Sequence, residues 1–152
     1  MKTAMRFNLL PSVARLLLLL PKGLFTMLVT AAIFWLTLAP DPLPDNDIQL
    51  FPGFDKVAHA CMFGGFYFAA AFDLVARHRG KGKTHLHAAL PPIATVVTAV
   101  ASIAFGGLIE LVQEGMNMGR GCDLMDFVAD IAGVVIAVLL TPVVLHAMLK
   151  EQ

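Results

Sequence analysis

Two long apolar runs, each free of Asp, Glu, Lys and Arg, bracket an acid-rich stretch in the second half of this chain. The first is Ile93 to Ile109 and the second Ile131 to Met148, where His146 is the only titratable side chain. Uncharged runs of this length point to membrane-crossing helices, because about 20 mainly apolar residues span a bilayer core. Between them, Glu110 to Gly133 holds five carboxylates and one arginine. Ionisable groups inside spans or at their ends are costly, rare and usually functional. The whole chain has the matching character: of 152 residues, 58% are hydrophobic and 14% charged, against roughly a quarter charged in soluble domains. A soluble domain could not cover that much apolar surface. The formal net charge is zero, which leaves no basic surface for nucleic acid.

Taken in order, residues 1–22 carry Lys2, Arg6, Arg15 and Lys22 and no acid, and read as a basic cytoplasmic or interfacial segment. Gly23 to Ala39 is an apolar run of about 17 residues, near the lower limit for a span. A cleaved signal peptide also begins with basic and then apolar sequence, but no A-x-A site follows. An uncleaved first span, preceded by an interfacial helix and anchored by Trp35, is the preferred reading. The loop to Phe54 holds Asp41, Asp45, Asp47 and four prolines, so it is not regular helix. The second span covers Lys56 to Ala76, with Asp73 and Arg77 at i,i+4 as a local ion pair. A basic loop follows with Arg77, Arg79, Lys81, Lys83 and three histidines (His78, His85, His87). The third span starts at Pro91–Pro92 and runs to Gln113. The fourth runs from Leu124 to Met148, with Pro142 as a bend.

The expected fold is therefore all-α, a polytopic four-helix transmembrane bundle over residues 23–150. Basic loops stay in the cytoplasm, which puts both termini and the Arg77–Lys83 loop there and the acidic loop outside. Asp55, Lys56 and His59 then share the outer boundary with Glu110, Gln113 and Glu114, and with Asp123, Asp126 and Asp130. The spacings i,i+4 (Asp55, His59), i,i+3 (Glu110, Gln113) and i,i+3,i+7 (Asp123, Asp126, Asp130) line each set along one helix face. Carboxylates facing lipid would oppose insertion by about 2.5–3.5 kcal/mol each at mid-bilayer, so these groups should face one another in a hydrated hollow.

The motifs D-K-x-x-H at Asp55–His59, E-x-x-Q at Glu110–Gln113 and G-R-x-x-D-x-x-D-x-x-x-D-x-x-G at Gly119–Gly133 resemble the VanZ-like family, over Asp55 to Val138. Where this chain has Asp130 many members have asparagine, so an acceptor is kept and two amide donors are lost. The family takes its name from a member linked to resistance against the glycopeptide teicoplanin. The resemblance implies a multi-pass protein of the bacterial cytoplasmic membrane, and an enzyme acting on lipid head groups or lipid-linked envelope intermediates has been proposed for such proteins.

Two function classes fit the residues. In an enzyme on a lipid phosphoester, His59 is the general base or nucleophile, being the side chain poised near neutral pH. Asp55 or Asp126 holds its tautomer. Glu110 serves as acid, since loss of water favours a protonated carboxyl. Arg120 and Lys56 meet a phosphate, Gln113 donates to developing charge, and Asp123 and Asp130 complete the binding set. One histidine without a tight ligand motif favours a metal-free site, with no cofactor, over one holding a divalent ion. The other class is a non-catalytic protein that binds an envelope ligand such as a glycopeptide or lipid, its polar residues forming an interhelical network. Asp123 is explained equally by capping the fourth helix. Tyr67 reads as a packed aromatic, and Cys61 and Cys122 as a single possible disulfide or two free thiols.

Overall fold

The computed structural model describes residues 9–39, 51–79, 90–116 and 123–149. All regular structure among them is helical: α1 (Leu9–Leu19), α2 (Leu24–Leu38), α3 (Phe54–Arg79), α4 (Pro92–Met116) and α5 (Leu124–Leu149). Helices α3, α4 and α5 are each long and apolar enough to cross a membrane. Their outward faces match: Ile93, Val96, Val100 and Leu111 on α4 and Leu139 and Val143 on α5 are exposed. Continuous apolar surface of that kind would drive association in water, whereas lipid chains solvate it. The chain is an all-helical membrane protein. Helix α5 continues through Pro142 to Leu149, even though proline offers no N–H to the preceding turn.

The first apolar run behaves differently from a simple span. Helix α2 has 15 residues, roughly 22 Å at 1.5 Å per residue, short of a hydrocarbon core of about 30 Å. Helix α1 meets it at 93°. The chain turns at Gly23, whose φ of 98° lies in the left-handed region that glycine enters without steric penalty.

The centre of the fold is the α3–α5 pair. A Cβ on Gly64 would stand 2.9 Å from the Gly133 carbonyl oxygen, and one on Gly133 would overlap the Ala60 carbonyl oxygen. Small residues permit this approach of backbones in a membrane bundle. Ile33, Phe63, Tyr67, Ile109 and Val134 pack around it from four helices, so Tyr67 is a buried core aromatic. Ala14, Phe72, Val75, Leu145 and Met148 form a second cluster toward the end where α5 finishes.

Asp73 does not form the ion pair with Arg77 that the spacing suggests. Its Oδ2 accepts hydrogen bonds from the Thr26 backbone N–H at 2.9 Å and the Thr26 hydroxyl at 2.6 Å. Thr26 lies in the first turn of α2, where unpaired N–H groups and the helix dipole attract an anion. The acid therefore docks α2 onto α3, and spacing along one helix could not reveal a partner on another.

Candidate functional site

Helix α3 begins, α4 ends and α5 begins at the same end of the molecule, and their polar residues meet there. His59 Nδ1 lies 3.0 Å from Asp130 Oδ1 and 3.5 Å from Glu110 Oε1. Its Nε2 is 3.9 Å from Asp126 Oδ2, beyond direct hydrogen-bond reach. Three acids, one from α4 and two from α5, thus surround a single imidazole on α3, and the Phe63 ring stacks on it at 6.3 Å between centroids.

Above this group sits a second one built on Lys56. Its ammonium contacts Asp126 Oδ1 at 2.9 Å, Asp123 Oδ2 at 3.0 Å and Asp55 Oδ2 at 3.1 Å. An ammonium has three donors, and all three are used. Asp126 belongs to both groups, with one oxygen on Lys56 and the other toward His59. Exposure falls steadily inward: Asp55 and Asp123 are open, the Asp126 side chain is 16% exposed, and His59, Glu110 and Asp130 are 9%, 2% and 0% exposed. The site is a graded descent from a charged rim to a buried floor.

Asp123 caps α5. Its Oδ1 accepts from the Met125 N–H at 2.8 Å, the role expected of an N-cap aspartate. Its own N–H donates to Glu110 Oε2 at 3.3 Å, tying the start of α5 to α4. The Met125 N–H, and after it the Lys56 ammonium, hold the Asp123 carboxyl below its ordinary value of 3.8. A carboxyl depressed on folding contributes stability above its unfolded pKa and loses that contribution as pH falls through the folded one. The stability gap between wild type and Asp123→Ala is therefore expected to be full at pH 6 and to close as pH falls below about 4, as measured by thermal unfolding in detergent across that range.

The structure reassigns two partnerships. Neither Asp55 nor Asp126 holds the His59 tautomer: Asp130, anticipated as a binding residue, is the carboxylate at Nδ1. Asp55 reaches Lys56 instead. Gln113 stands apart from the imidazole, its Nε2 donating to the Thr37 carbonyl of α2 at 3.0 Å. Thr37, also buried, was not singled out in the sequence; nothing in an apolar helix marks which carbonyl a distant amide will choose. Arg120 and Cys122, the Asp41–Asp47 stretch and the Lys81–His87 loop lie outside the described residues, while Cys61 is exposed on α3.

The floor of the site has unused capacity. Glu110 Oε1 and Asp130 Oδ2 are buried without a hydrogen-bond partner among the described residues. His59, Glu110 and Asp130 each offer a ligand atom within 4.8 Å of the others, and Asp55, Asp123 and Asp126 form a second such group. In the second group Lys56 supplies the positive charge. In the first, the imidazole faces two carboxylates, so the set can orient a histidine base or hold a divalent cation. No family model, curated protein or solved structure matches the chain.

Proposed function

We propose that the chain is a VanZ-like membrane protein that uses His59 to act on a lipid phosphoester or lipid-linked envelope intermediate at the outer leaflet of the bacterial cytoplasmic membrane. In this reading α2 completes a four-span bundle, with α1 lying along the inner surface and both termini in the cytoplasm. The distribution of basic loops supports that orientation. A shared polar site is supported by the way Asp55, Lys56, His59, Glu110, Asp123, Asp126 and Asp130, drawn from separate motifs, gather at one end.

The observation that carries the catalytic reading is the 3.0 Å contact between His59 Nδ1 and Asp130 Oδ1. With Nδ1 protonated, the imidazole donates to Asp130 and keeps its lone pair on Nε2. Nε2 faces the rim side, toward Asp126. It can take a proton from an attacking hydroxyl or water, and the buried Asp130 carboxylate stabilises the resulting imidazolium, the logic of a carboxylate–histidine pair. Glu110, beside the same ring, is the acid that returns a proton to the leaving group. Lys56 serves less as a phosphate ligand than as a brace, since its donors already hold Asp126 and Asp123. Arg120 keeps its sequence-based assignment as the phosphate-binding cation. The direct test is incubation of the purified protein with a bacterial lipid extract, with head-group release or exchange followed by mass spectrometry.

A second reading rests on the unpaired Glu110 Oε1. Here a divalent ion sits among His59, Glu110 and Asp130, and His59 is a ligand instead of a base; the protein then need not be an enzyme. Chelation separates the two. Exhaustive treatment with a chelator is expected to leave lipid turnover unchanged, and loss of turnover restored by Mn²⁺ or Zn²⁺ would transfer the assignment to the ion.

A further inference from the structure

At the opposite end from His59, α2, α3 and α4 enclose a groove of about 700 Å³, within the usual range for a ligand site. Helices α2 and α4 meet at Phe34, whose ring packs edge-on against Phe105 at 5.7 Å, and at Thr37, held by Gln113. From Phe34 outward the two helices flank an open channel whose walls are Met27, Phe66, Ala70, Val97 and Ala101. From Arg77 to Phe66 it follows α3 for roughly 16 Å at 1.5 Å per residue. That is about half of a 30 Å hydrocarbon core, the depth of one leaflet.

The mouth of the groove is cationic. Lys22 and Arg77 both line it, and the Arg77 guanidinium approaches the Lys22 carbonyl at 3.5 Å. Neither forms an ion pair among the described residues. Asp73, the acid closest to them in the groove lining, is already engaged by Thr26. Two exposed cations, without a carboxylate partner among the described residues, thus stand at one end of an apolar channel about as long as a leaflet is deep.

We infer that this groove binds one anionic glycerophospholipid, its acyl chain lying along α3 between α2 and α4 and its phosphate between Lys22 and Arg77. Acyl chains match the apolar walls, and basic pockets between spans on the cytoplasmic side attract acidic head groups. An arginine can grip a phosphate through two N–H donors. A head group that also carries an ammonium would meet two like charges at the mouth. The site is separate from His59 and does not depend on any catalytic role for it.

The test uses the full chain in mild detergent, incubated with phosphatidylglycerol or with phosphatidylcholine of the same chain length, followed by native mass spectrometry. The expected result is about one phosphatidylglycerol retained per chain, with phosphatidylcholine retained at least tenfold more weakly. Lys22→Gln with Arg77→Gln is expected to weaken phosphatidylglycerol binding about tenfold or more. Ala101→Phe, at an exposed position in the wall, is expected to abolish retention while both cations remain. Lys22→Gln alone, also at an exposed residue, serves if the double variant does not fold, and should weaken retention severalfold. Equal retention of the two lipids, or wild-type retention by Ala101→Phe, would overturn the proposal: the first removes charge selection and the second removes the groove.

Discussion

His59→Ala is expected to lower lipid turnover by about 10²–10⁴-fold, the contribution of a positioned acid–base group, with folded yield close to wild type. The expectation follows from where the ring sits. It is nearly buried and contacts three acids from two other helices, so a structural role would show as loss of protein instead of loss of rate. His59→Gln distinguishes the roles, because glutamine offers hydrogen bonds but no base at neutral pH. The predicted outcome is a folded, inactive His59→Gln protein. If His59→Ala lost its fold and His59→Gln regained both fold and turnover, the histidine would be interhelical glue. Asp130→Asn should be milder than His59→Ala. The amide oxygen still accepts from Nδ1–H, while the charge that steadies the imidazolium is gone.

Gly133→Ala is expected to destabilise the protein by about 3 kcal/mol, at the upper end of overpacking effects, read as a lowered unfolding temperature and poor recovery from the membrane. The added Cβ would overlap the Ala60 carbonyl oxygen and stand 2.7 Å from the Ala60 carbonyl carbon and Cα. Backbone cannot rotate away as a side chain can, so α3 and α5 must separate. His59 precedes Ala60 in the chain and Asp130 lies one helical turn before Gly133, hence separation also parts the dyad. Gly106→Ala gives a graded comparison: its Cβ would meet Asp130 Oδ2 at 2.7 Å, a side-chain atom with some freedom to move. That variant should retain more stability yet lose turnover through a displaced Asp130. Wild-type stability in Gly133→Ala would show that the two backbones do not touch as described.

Much of this arrangement was legible in the sequence. The spans read from Pro91–Pro92 to Gln113 and from Leu124 to Met148 match α4 and α5 except for a last turn of α4 that runs on to Met116, and the i,i+3,i+7 spacing of Asp123, Asp126 and Asp130 puts them along one side of the start of α5. That side was enough to foresee a meeting with His59 and Glu110. It was not enough to choose among the acids, because the choice depends on how far α5 is shifted along α3. The Gly64–Gly133 contact fixes that shift and brings Asp130 to Nδ1. Gln113 shares a helix face with Glu110 but sits one turn nearer the end, where α2 supplies the Thr37 carbonyl. Asp73 had a plausible partner within its own helix, and the one it takes is the first turn of α2. In each case periodicity gave the direction of a side chain and could not give the neighbouring helix.

The backbone seam between α3 and α5 also sets what the surrounding lipid can influence. A thinner or thicker bilayer is accommodated by helix tilt, and the elements free to tilt are those outside the seam. His59 and Asp130 ride together on it, so their separation is insulated from chain length in the host membrane. Glu110 belongs to α4 and is joined to the seam through the Asp123 N–H at the start of α5. A change of acyl composition would therefore bear first on the one hydrogen bond between Asp123 and Glu110, and least on the contact between His59 and Asp130.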